Sequence, residues 1–187
     1  MSEIAVNTMV EHAGGDPDKV EMMNVGWDLM PAIATDNVDA LTSGYINHEL
    51  VLLRKEGHDI EVDRPADFGV PKTYELILVT GEEKYKEKKE TFEKFWHALA
   101  KGQEAVKENP EKGLQVLLDH EEESFPLDKE VETESLEILL PLMETDNLPF
   151  GYQEKESWDK VINWLAENDM IEKSFNTEEV VKNIMKK

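Results

Sequence analysis

Cysteine is absent, so the chain can form no disulfide, no thiolate metal site and no cysteine nucleophile. Arginine is scarce: Arg54 and Arg64 are the two, and lysine supplies the rest of the positive charge. With 42 acidic residues against 20 basic ones, the net charge is −22. A surface this acidic repels phosphate backbones and anionic lipid, which argues against nucleic-acid and peripheral membrane binding. It also favours solubility, whatever else it does. No uninterrupted apolar run approaches 18 residues, so no segment reads as membrane-spanning. There is no Gly-x-Ser-x-Gly elbow and no glycine loop for a phosphate. The five histidines, His12, His48, His58, His97 and His120, form no i, i+4 pair, so neither a histidine metal site nor a histidine-based catalytic pair is expected. No repeat of fixed period is visible.

What is present is a chain of 187 residues, long enough for one sizeable domain or two small lobes. Apolar residues make up 40%, which supports a real core, and the charges interleave with them rather than forming long blocks. The start, MSEIAVNTMVEHAGG, has neither a basic head nor an apolar centre, so it does not read as a signal peptide; an export signal, if there is one, is expected upstream of Met1.

Residues Ile4 to Ala13 carry one helical apolar stripe, which Gly14-Gly15 ends as a left-handed cap. Asp16-Pro17-Asp18 reads as a turn. Short strands are predicted at Val20–Val25, Val38–Ser43 and Ile60–Val62, with helices at Leu29–Thr35 and Asn47–Glu56, the latter capped by Gly57. This alternation implies a parallel sheet with crossover helices. After the punctuated loop Arg64–Lys72, the run Thr73–Thr80 (TYELILVT) is the strongest strand signal, fit for burial on both faces. From Glu82 onward the pattern turns helical. Glu90–Glu108 has a broad apolar stripe, Asn109-Pro110 opens a second helix through Leu118, and Lys129–Glu144 makes a third. A loop is expected over Asp146–Gln153, then a helix over Ser157–Asn168 capped by Ser157, and a last short helix near Asn176-Thr177. Phe92, Phe95, Trp96, Trp158 and Trp164 are expected in the core. A few strands followed by unpartnered apolar helices look like part of a larger fold.

The stretch TMVEHAGGDPDKVEMMNVGWDLMPAIATDNVDALTSGYINHE, the later RPADFGVPKTYELILV, and PFGYQEKESW followed by WLAEN carry a family resemblance. In their order and spacing they resemble the C-terminal two-thirds of the solute-binding proteins of the thiamine-pyrimidine-precursor and sulfonate ABC importers. The same broad family includes the yeast-type pyrimidine synthases of thiamine biosynthesis. The resemblance implies an α/β fold, a truncated type II periplasmic-binding-protein fold. Residues 1–71 would be the second lobe, 72–81 the hinge and return strand, and 82–187 the helical remainder of the first lobe with the C-terminal flank. It implies a binder without a cofactor, since the synthases use a cysteine-rich segment and this chain has no cysteine. It implies importer membrane subunits as partners, and a location at the outer face of the membrane or in the periplasm, as a lipoprotein or secreted protein. A chain lacking part of its lobe is expected to expose apolar surface and to form a homodimer or be unstable.

A flat aminopyrimidine calls for aromatic faces and a carboxylate that accepts from its exocyclic amine. The candidates are Glu75, Tyr74, Tyr45, Glu49, Asn47, Gly44 and Trp27. Glu75 enters the expected buried strand, where a carboxylate needs a ligand or a salt bridge; Tyr74 beside it either stacks on the ligand or packs in the core. Gly44, Tyr45, Asn47 and Glu49 follow the expected Val38–Ser43 strand at its carboxyl end, where open α/β sheets bind ligands. Glu49 can equally be a helix N-terminal acid. Many relatives carry Trp where this chain has Ile46 or His48. Trp27 follows a strand end and can line the cleft. The alternatives are a sulfonate or other small solute, and an acidic helical interaction protein with no solute site.

Overall fold

The computed structural model describes residues 2–143, 147–172 and 175–185. Its α-helices are α1 (Ser2–His12), α2 (Leu29–Ala34), α3 (Glu49–Lys55), α4 (Glu82–Glu108), α5 (Pro110–Leu118), α6 (Lys129–Met143), α7 (Lys155–Glu167) and α8 (Thr177–Val180). Short 3-10 turns occupy Pro17–Lys19 and Pro65–Phe68. The chain divides into two units, one built from Met1–Thr73 and Lys155–Thr177, the other from Tyr74–Glu154 and Glu178–Lys187.

In the first unit, α1 runs until Gly14, whose φ of 79° suits a residue without a Cβ. Asp16 then caps the turn at Pro17–Lys19 by accepting the Asp18 N–H at 3.2 Å. Helix α1 packs on the Pro65–Phe68 turn, where the His12 and Phe68 rings meet edge to face, 6.1 Å apart. Ala32 of α2 is buried, as are Val51 and Leu53 of α3 and Ile162 of α7. The unit is tied to its C-terminal segment by a buried hydroxyl: Thr177, 2% exposed, donates to Asp159 of α7 at 2.6 Å. Lys155 donates to the other oxygen of the same carboxylate at 2.6 Å. These bonds, that from Lys155 first, hold the Asp159 carboxyl below the usual carboxylate range.

The second unit is a helical array. Lys88 breaks the helical geometry inside α4, at φ −117° and ψ 23°. Asn109 ends α4 and starts α5, its side chain accepting the Lys112 N–H at 3.0 Å with Pro110 in the first turn. Asp128 accepts the Glu130 and Val131 N–H groups at the start of α6. Leu114, Val131 and Ser135 are its buried residues. Trp96 of α4 stacks on Phe150, centroids 6.0 Å apart, and Gly151 fits against the indole with φ 74°.

Several expectations need correction. Among the described residues there is no sheet strand, and the β pairing is limited to one isolated antiparallel bridge between Glu122 and Phe125. The α/β reading therefore gives way to an α-rich structure. A strand exists only where a neighbour completes its hydrogen-bond ladder, and none of Val20–Val25, Val38–Ser43, Ile60–Val62 or Thr73–Thr80 pairs with another segment. Leu76 also sits at φ 51°, which breaks the alternation of TYELILVT; it is 90% exposed and Val79 is 77% exposed. Helix α7 starts at Lys155, so Ser157 lies inside it and is not its cap. Phe95 is exposed and not a core residue. Phe92, Trp96, Trp158 and Trp164 are half-buried. The expected helix end at Glu144 and loop start at Asp146 fall outside the described residues.

Among the described residues, Trp27, Leu76, Val79 and Phe125 are large apolar side chains left mostly exposed.

Candidate functional site

The first unit carries an open groove of about 580 Å³, lined by Gly26, Trp27, Asp28, Leu29, Met30, Pro31, Ser43, Tyr45 and Glu49. That volume falls within the roughly 300–1,000 Å³ usual for small-molecule pockets. Two turns build it.

The first turn presents Trp27. Asn24 accepts the Gly26 N–H at 2.9 Å, Gly26 adopts φ 62°, and the Asp28 N–H reaches the Val25 carbonyl at 3.1 Å. The chain reverses within four residues and leaves Trp27 at the tip, 98% exposed. Helix α2 begins directly after it, so Leu29, Met30 and Pro31 form an apolar floor on a rigid element.

The second turn presents Tyr45. Ser43, at φ 72°, swings the chain round, and its hydroxyl lies 3.4 Å from that of Ser2. The His48 and Leu50 N–H groups both reach the Tyr45 carbonyl. Glu49, the first residue of α3, accepts the Tyr45 N–H at 2.8 Å. Its other oxygen lies 3.5 Å from His48 Nδ1. Glu49 thus does two things at once: it fixes the Tyr45 turn and it adds negative charge to the groove, at the helix N-terminus that favours an acid.

Of the sequence candidates, Trp27, Tyr45 and Glu49 line this groove. Gly44 sits between Ser43 and Tyr45, and a Cβ on it would meet Leu41 at an ordinary 3.7 Å. Asn47 is half-buried within the second turn. Tyr74 and Glu75 belong to the second unit. There the Tyr74 hydroxyl accepts the Glu154 N–H at 2.7 Å, so it anchors the segment after Phe150. Glu75 is exposed on irregular chain, and the expected cost of burying its carboxylate does not arise. Sequence reasoning passed over Asp28, Met30, Pro31 and Ser43. Asp28 precedes the first apolar residue of a predicted helix, and the helix-start rule would have drawn attention to it.

Chemically the groove offers two aromatic faces, an apolar floor and two carboxylates, with no lysine or arginine among its lining residues. It suits a flat ring with donor groups and disfavours an anion. Among the described residues there is no group of three or more His, Cys, Asp or Glu able to hold a metal ion, and no helix long and apolar enough to cross a membrane.

The profile of the family described as NMT1/THI5 like matches residues 1–113, which include the whole groove. The chain belongs to the NMT1/THI5-like family. Among its relatives, the formylaminopyrimidine-binding protein of Halalkalibacterium halodurans is 45% identical over 185 residues, covering 98% of this chain and 56% of that protein. A protein of Haemophilus influenzae named for thiamine biosynthesis is 30% identical over 115 residues, covering 62% of this chain and 36% of that protein. The chain spans about half the length of the curated relatives it matches, or less.

Proposed function

We propose that this chain is part of a solute-binding protein that holds a thiamine pyrimidine precursor, a hydroxymethyl- or formylaminopyrimidine, for delivery to an ABC importer. The observation that carries the reading is the groove between Trp27 and Tyr45, open, aromatic and acidic. A pyrimidine ring stacks on such faces, and its amine donates to a carboxylate. The relative named for binding formylaminopyrimidine supports the same ligand class. The sulfonate alternative has less support, because no lining residue is basic.

On this reading the chain is a binder and not an enzyme, and it belongs to a type II periplasmic-binding fold. Residues 1–71 are the second lobe, 72–81 the hinge segment, and 82–187 the helical remainder of the first lobe and its flank. Gly44 and Asn47 shape the Tyr45 turn. The membrane subunits of the importer receive the protein at the outer face of the membrane or in the periplasm. A second copy of the chain is a further partner, supported by the exposed run Leu76–Val79.

Isothermal titration of the full chain with hydroxymethyl-aminopyrimidine, formylaminopyrimidine and a small alkanesulfonate tests the ligand class. Saturable binding of a pyrimidine with no response to the sulfonate is the expected result. Preference for the sulfonate, or silence with all three, would overturn it.

A further inference from the structure

We propose that α4 carries the face on which a second copy of this chain docks, the stripe Phe95, Ala98, Leu99, Gly102 and Ala105, with the two helices antiparallel. The inference rests on a second copy as partner and is independent of the solute reading.

Helical spacing puts the stripe on one face: its residues recur at intervals of three and four. All five are exposed. A different face of the same helix serves the unit itself, where Phe92 and Trp96 are half-buried and Trp96 stacks on Phe150. Helix α4 thus has apolar residues for two partners and covers one set. The order of sizes along the stripe says what fits it. The bulky Phe95 and Leu99 stand toward the N-terminal end and the small Gly102 and Ala105 toward the C-terminal end. A Cβ built on Gly102 would meet nothing within 4 Å, so the backbone there is open to close approach. A two-fold axis near the middle of the stripe sets the bulky residues of each copy against the small ones of the other, which makes the face self-complementary.

Charge selects the same occupant. Helix α4 holds seven glutamates and seven lysines and is neutral, so the other residues carry the whole of the −22. Lys86 pairs with Glu82 and Lys94 with Glu90 along the helix itself. Two copies of the chain repel over their acidic surfaces, and a neutral helix lets them meet without that cost. A cationic partner would be drawn to the acidic surfaces instead.

The test uses the full chain, in which an introduced cysteine is the only one. Ala98→Cys and Gly102→Cys chains, mixed and mildly oxidised, should give a disulfide-linked dimer holding one of each, and Glu104→Cys, on the opposite side of the helix, should not cross-link. Light scattering should report a wild-type dimer that tightens as salt rises, because salt screens the repulsion and spares the apolar contact. Phe95→Asp with Leu99→Asp should weaken that dimer about tenfold or more, with circular dichroism checking the fold. A dimer that survives this double change, or loosens with salt, would remove the role of α4 and leave a second copy bound through another face. A wild-type chain that is monomeric at every concentration would overturn the second copy and this inference together. Should the double variant unfold, the cysteine chains decide: cross-linking between Ala98→Cys and Gly102→Cys upholds the face, and cross-linking no stronger than that of Glu104→Cys removes it.

Discussion

The Glu49 carboxylate accepts the Tyr45 backbone N–H at 2.8 Å, so one side chain both opens α3 and fixes the turn that presents an aromatic wall of the groove. Glu49→Ala removes that bond. The turn should loosen, ligand affinity should fall several-fold, and stability should drop by about 1 kcal/mol. Glu49→Gln retains a carbonyl oxygen that can take the same N–H and should recover most of the stability. Calorimetric titration and urea unfolding of the two variants separate these effects.

A second prediction concerns acid. The Asp159 carboxyl lies below its ordinary range because Lys155 and Thr177 donate to it. A carboxylate with a depressed folded-state pKa adds stability above its unfolded pKa, and that stability is lost as pH falls through the lower folded value. Wild type should therefore be more stable than Asp159→Asn at neutral pH, and the gap should close below about pH 4. Urea unfolding midpoints at a series of pH values check this; a gap that widens on acidification would contradict it.

Gly151 provides a steric test. A Cβ built there would lie 2.0 Å from the Trp96 ring, and the backbone φ is 74°. Gly151→Ala should destabilise the chain by about 1–3 kcal/mol and alter the near-ultraviolet dichroism of Trp96. Tyr74→Phe removes the hydroxyl that accepts the Glu154 N–H and should cost less, about 1 kcal/mol.

The uncovered run Leu76-Ile77-Leu78-Val79 bears on association. Light scattering of the chain should report a dimer, and Leu76→Asp with Val79→Asp should shift it toward monomer. A wild-type chain that stays monomeric at all concentrations would contradict the assignment of a second copy as partner.

The helices were legible because their signals are local. The Ile4–Ala13 stripe, the left-handed Gly14 and Gly57, and the Asn109-Pro110 cap each act within a turn of the residue that carries them. The strands were not, because a strand depends on a neighbour that the segment's own residues do not specify: TYELILVT has the composition of a buried strand and no ladder partner here. The argument for Glu75 depended on that strand and fell with it, whereas Trp27 and Tyr45 are placed by short turns whose Asn24, Gly26 and Glu49 are visible in the sequence.

The central claim is that a flat aminopyrimidine stacks in the Trp27–Tyr45 groove. Trp27 is 98% exposed and is one of four tryptophans, so its emission should change when a ring covers it. Titrating the full chain with formylaminopyrimidine while following intrinsic fluorescence should give a saturable change that disappears in Trp27→Phe. A flat titration, or an unchanged response in Trp27→Phe, would place the ligand elsewhere and contradict the account.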